Sequence, residues 1–103
     1  MKTFKTLDLS VEFYEMSEKS NATGNLRDQL LRAASSISLN LSEGNGKFSV
    51  KEKKRFYKMA YASLKEVQTI LRLLKVNDEA VLNKADHLGA SIYKLIQSNI
   101  SAI

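Results

Sequence analysis

Nine lysines and arginines fall between residues 47 and 75, against two acids, Glu52 and Glu66. The rest of the chain carries seven basic and nine acidic residues, so the formal net charge of +5 originates in this one stretch. If the stretch is helical, Lys51, Lys54, Lys58, Lys65 and Arg72 share an arc of about 60°. Phe56, Ala60, Leu64, Val67, Leu71 and Leu74 share about 80° on nearly the opposite side. With the apolar stripe turned to a core, the basic one faces water over roughly 32 Å, with Lys47 and Arg55 flanking it. A run of charge is often just a solvated face. Here the acids are too few for the alternating lattice of an ordinary exposed helix. Like charges at three- and four-residue spacing repel by a few tenths of a kcal/mol each. Phosphates of a nucleic acid would offset that repulsion. Tyr61, at the margin of the stripe, is placed to stack on an unpaired base.

Other chemistry-bearing residues form weaker patterns. Gly44-Asn45-Gly46-Lys47 superficially resembles a phosphate loop, but the spacing fails and no strand precedes it. The segment reads instead as a helix stop, with Gly44 in the left-handed conformation. His87 follows Asp86, yet adjacent helical residues point about 100° apart and do not form a catalytic pair. No serine sits in a nucleophile elbow. Asn40, Glu43, Ser63 and Glu66 are a polar set for which a structural clasp is the preferred reading, since paired-carboxylate catalysis needs a cleft. Cysteine is absent and His87 is the only histidine, which excludes thiolate chemistry and the usual zinc and iron–sulfur sites. The sequence therefore calls for no metal, no cofactor and no enzymatic activity.

These residues need elements to hold them. Residues 1–103 make one small domain, and proline is absent. A chain this short buries roughly 65% of its unfolded surface, a thin core that self-association would reinforce. Apolar spacing at three and four residues predicts four helices. The first covers about residues 6–19 and the second about 26–43. Ala33, Ala34, Ser35, Ser36 and Ser38 mark the second as one that approaches a neighbour closely. The third runs from a capping box at Ser49 and Glu52 to about residue 75. Asn77 or Asp78 caps the fourth, whose stripe is Val81, Ala85, Leu88, Ile92 and Leu95. Short links favour an all-α, antiparallel, up-and-down four-helix bundle. The length of the third helix and the double stripes on the first and fourth point to a homo-oligomer. No apolar run exceeds four residues, so no membrane span is expected. Asp8 and Glu12 interrupt what would be the apolar core of a signal peptide. The reading is cytoplasmic.

The stretch Ala33-Ala34-Ser35-Ser36-Ile37-Ser38-Leu39-Asn40-Leu41-Ser42-Glu43-Gly44-Asn45-Gly46-Lys47, with Arg55-Phe56-Tyr57-Lys58-Met59-Ala60-Tyr61-Ala62-Ser63-Leu64-Lys65-Glu66, resembles a two-part family signature. It is that of the bacterial four-helix-bundle proteins encoded by intervening sequences of large-subunit ribosomal RNA genes. Its key positions here are Asn40, Glu43, Gly44, Gly46, Arg55, Phe56, Ala60, Ser63, Leu64 and Glu66. Ala62 stands where the family often has glycine, Asn45 where an aromatic is frequent, and the link near Gly24 lacks a common proline. The resemblance implies a cytoplasmic up-and-down bundle assembled as a ring, commonly a pentamer, without enzymatic activity. A relative similar in fold, the accessory protein of diversity-generating retroelements, binds nucleic acid through a basic surface and partners a reverse transcriptase.

Together these readings predict a non-enzymatic, oligomeric bundle that binds nucleic acid, RNA ahead of DNA, through Lys47, Lys51, Lys54, Arg55, Lys58, Lys65 and Arg72. The alternative is an oligomeric scaffold that docks a protein partner and uses its charges for solubility or steering.

Overall fold

A computed structural model describes residues 4–98; the signal-peptide reading falls partly on residues 1–3, outside that span. Four helices follow in order: α1 (Lys5–Glu18), α2 (Gly24–Asn45), α3 (Val50–Leu73) and α4 (Glu79–Gln97). Their apolar stripes meet in one core, where Phe13, Leu30, Ile37, Leu41, Leu64, Val67, Leu71, Leu88 and Ile92 are fully buried. Each large aliphatic side chain removed from water in this way contributes about 1.5–3 kcal/mol. Consecutive helices pack on one another, and α4 closes back onto α1. The α1–α2 side of the bundle is therefore opposite the α3–α4 side. The molecule measures 42 × 23 × 22 Å.

The helix ends follow local chemistry, with instructive departures. Ser49 Oγ accepts from the Glu52 amide at 3.1 Å and starts α3. The Glu52 carboxylate reaches forward to Arg55 at 3.4 Å rather than back to the cap, so only half of the expected box forms. Asp78, not Asn77, caps α4, accepting from the Ala80 amide at 3.0 Å. α3 ends in a Schellman turn: the Val76 amide donates to Leu71 O and the Lys75 amide to Arg72 O, both at 3.0 Å. The left-handed residue of that turn is Lys75, with φ 58°.

Gly44 is not left-handed. It lies within α2, which runs one residue further, to Asn45. A Cβ on Gly44 would stand 2.7 Å from Tyr57 Cε1 and 3.0 Å from Phe56 Cβ. The glycine is required by the close crossing of α2 and α3 rather than by a turn. The carbonyls at the end of α2 are met by the Gly46 and Lys47 amides and by Lys53, whose Nζ donates to Asn45 O at 3.1 Å and to Gly44 O at 3.5 Å.

Hydroxyl pairs stitch three of the seams. Thr6 and Ser91 join α1 to α4 at 2.6 Å, Ser10 and Ser38 join α1 to α2 at 2.8 Å, and Ser36 and Ser63 join α2 to α3 at 2.9 Å. Ser10 donates its own proton to Leu7 O, so Ser38 is the donor in that pair. The buried positions of α1 are Thr6, Ser10, Phe13 and Ser17, three hydroxyls and one aromatic.

Candidate nucleic-acid interface

The amphipathic third helix positions the basic stripe as its spacing requires. Tyr57, Ala60, Leu64, Val67, Ile70 and Leu71 are buried, while Lys51, Lys58, Lys65 and Arg72 are exposed and Lys54 is half-buried. Among the described residues none of these five lies in an ion pair; the three pairs present are Lys47–Glu43, Arg55–Glu52 and Lys84–Glu12. Lys51 and Lys54 also sit in the first turns of α3, where the helix dipole disfavours cations.

The two flanking residues are engaged differently. Lys47 bonds Glu43 at 3.2 Å and lies 5.2 Å from the centre of the Phe56 ring. Arg55 bonds Glu52 at 3.4 Å and lies 5.0 Å from the centre of the same ring. Phe48, beside Lys47 in the α2–α3 link, is fully exposed.

The helical arc has a direction. Ser63 touches Ser36 of α2, whereas Tyr61 packs on Tyr93 of α4 with ring centres 6.2 Å apart. Lys54, Lys58, Lys65 and Arg72 share about 60° of arc with Tyr61, so the stripe borders the α4 side. Lys65 Nζ stands 5.1 Å from the centre of the Tyr61 ring. Next to it, an open groove of about 490 Å³ between α3 and α4 is lined by Lys65, Gln68, Arg72, Leu82 and Asp86. Gln68 Nε2 donates to Asp86 Oδ1 at 3.2 Å across the groove. Sequence spacing placed Tyr61 at the margin of the stripe. Tyr93, Gln68 and Asp86 escaped it, because periodicity within one helix does not say which edge of the next one it meets.

The polar set divides. Asn40 Nδ2 donates to Ser36 O at 2.9 Å and to Ser36 Oγ at 3.2 Å, and Ser36 in turn meets Ser63. Glu43 bonds Lys47, and Glu66 is exposed on α3. Ser36 is thus the centre of the clasp, a residue signalled only by its place in the small-residue run. His87 lies apart, in a groove between α1 and α4 beside Lys5, Asp8 and Glu12. Burial pushes the Tyr57 phenol above its ordinary range.

A second surface stands on the opposite side of the bundle. Val11 is 45% exposed and Leu39 69%, and with Tyr14, Ser35 and Ser38 they line a shallow, almost wholly apolar groove between α1 and α2. No helix among the described residues is long and apolar enough to cross a membrane.

The fold and this surface define a small all-helical protein with one cationic face and no cluster of three or more His, Asp or Glu placed to hold a metal among the described residues. A family model described as the 23S rRNA-intervening sequence protein matches residues 3–98, and the chain belongs to that family. No curated protein and no solved structure matches it.

Proposed function

We propose that this protein is a non-enzymatic, cytoplasmic, RNA-associated bundle that works as a homo-oligomer. The observation that carries the reading is the row of five cations on α3, none of them ion-paired among the described residues. A polyanion balances such a row, and the family's connection with ribosomal RNA genes favours RNA over DNA. The cross-helix contacts support an antiparallel, up-and-down order: Gly44 near the end of α2 meets Tyr57 near the start of α3, and Gln68 late in α3 meets Asp86 early in α4. The apolar α1–α2 groove supports self-association, into a ring of five as the family resemblance implies. Lying opposite the basic face, that interface would leave the lysines in water.

The same groove favours a second reading, a scaffold that docks a protein and holds no nucleic acid. Binding of labelled RNA at two salt concentrations separates them. On the first reading affinity falls steeply with salt, and the double variant Lys58→Gln, Lys65→Gln lowers the log–log slope by about 1.4–1.8. Negligible binding at the lower salt overturns it, and loss of a co-purifying protein from a Leu39→Asp variant in the α1–α2 groove, with nucleic-acid content unchanged, supports the scaffold.

A further inference from the structure

We infer that the nucleic acid taken by this surface is single-stranded, with its phosphates along the Lys58–Lys65–Arg72 ridge and its bases turned into the α3–α4 groove, one of them stacked on Tyr93. The inference rests on the RNA-binding reading and deepens it.

Two matching rows run along the α3–α4 seam, and the groove lies at the Arg72–Leu82 end of them. On α3 the row is Tyr61, Lys65, Gln68 and Arg72, at four-, three- and four-residue steps. On α4 it is Leu82, Asp86, Gly89 and Tyr93, at four, three and four. Both steps keep residues on one edge of a helix. At Gly89 the two helices come close, a Cβ there standing 2.9 Å from Cδ2 of the core residue Leu64. The α3 row therefore runs about 16 Å from the tyrosine pair to Arg72.

The chemistry of the rows is divided. Cations occupy the outer ridge. The groove itself holds the Gln68–Asp86 pair and the partly exposed Leu82. A carboxylate in the groove repels phosphate, so a backbone drawn to the ridge cannot drop inward. The same carboxylate, and the carbonyl oxygen that Gln68 leaves free, accept from base N–H groups. An aromatic face stands further along the same seam, about 10 Å from Asp86 by helix rise. Lys65 covers Tyr61, whereas Tyr93 is 51% exposed. A ring in water next to a basic ridge is of use to a base only if that base is unpaired; in a duplex the faces are already stacked. A duplex would touch the lysines and leave the tyrosine and the groove idle.

The test compares a fluorescein-labelled oligoadenylate of about a dozen nucleotides with a hairpin duplex of similar charge, by anisotropy at low salt on the full chain. The single strand should bind more tightly than the duplex. Tyr93→Leu keeps apolar bulk and removes the ring, and should weaken the single strand at least about fivefold while leaving the duplex and the salt slope unchanged. Tyr93→Phe should restore binding to within about twofold, which separates stacking from damage to the fold. Tighter duplex binding, or a Tyr93→Leu protein that holds the single strand like the parent, overturns the inference and leaves the RNA-binding reading standing. If neither probe binds even at low salt, that reading falls and takes this one with it.

Discussion

The ring of Tyr57 occupies the space where Gly44 lacks a side chain: a Cβ added to Gly44 would meet Tyr57 Cε1 at 2.7 Å. Substitution there sets two effects against each other. Alanine is the better helix former by about 1 kcal/mol. The contact it creates is with a rigid buried ring and with Phe56 Cβ, neither of which can swing aside, and overpacking of this kind costs about 1–3 kcal/mol. Gly44→Ala should therefore destabilise. Gly89→Ala meets only the terminal methyl of Leu64, which can rotate, and should be near neutral. Thermal unfolding of the two variants checks the contrast: the Gly44 variant should melt several degrees lower, and the Gly89 variant within about two degrees of the parent.

Ser36 holds two partners, Ser63 and Asn40. Its replacement by alanine leaves Ser63 without that bond and Asn40 with only the backbone oxygen, at a cost of about 1 kcal/mol. Ser63→Ala removes one partner and should cost less. Because the losses overlap, the double variant should fall short of their sum in a denaturant-unfolding cycle.

Lys75 closes α3 with φ 58°, a conformation that costs an L-residue about 1–2 kcal/mol and glycine almost nothing. Glycine also loses more freedom on folding, about 0.5–1 kcal/mol. The balance favours glycine, and Lys75→Gly should raise stability by about 0.5 kcal/mol. A denaturation midpoint that moves down instead would show that the lysine side chain contributes more than its strain.

Tyr57 supplies a pH dependence. Its phenol is raised by burial, so the unfolded chain, with an ordinary value near 10, releases that proton first. Raising the pH above about 10 therefore pulls toward the unfolded state, and the stabilisation present below that value is lost on the alkaline side. The Tyr57→Phe protein lacks this term. Denaturant midpoints measured between about pH 9 and 11 should decline more steeply for the parent than for the variant.

The four helices were legible because their signals are local. Ser49 and Asp78 are caps by residue type, and the α3 stripe is long enough to orient itself. Gly44 misleads for the same reason: Gly-Asn-Gly looks like a stop within the sequence, whereas the demand for glycine comes from a ring thirteen positions away. The cations of the candidate site could be placed to within a face, but not to one edge of it. That edge depends on the registry of α3 with α4, fixed by Tyr61 with Tyr93 and Gln68 with Asp86. In the same way Asn40 and Ser63 carry a polar signal, while Ser36, which connects them, is marked in the sequence only as part of a small-residue run that approaches a neighbour.

The composition of the first helix bears on how the molecule comes apart. α1 is the shortest of the four, and three of its four deepest positions are hydroxyls. Hydroxyl pairs stabilise weakly, about 1 kcal/mol apiece, and Phe13 is the one large apolar side chain of α1 that is fully buried, Leu7, Leu9, Tyr14 and Met16 being only partly covered. Warmth should loosen this strap before the other three rods part, and amide protons along it should exchange for deuterium soonest. If copies associate through the Val11 groove as proposed above, they would meet partly on the least tightly fastened piece of the subunit, and assembly itself would fasten it.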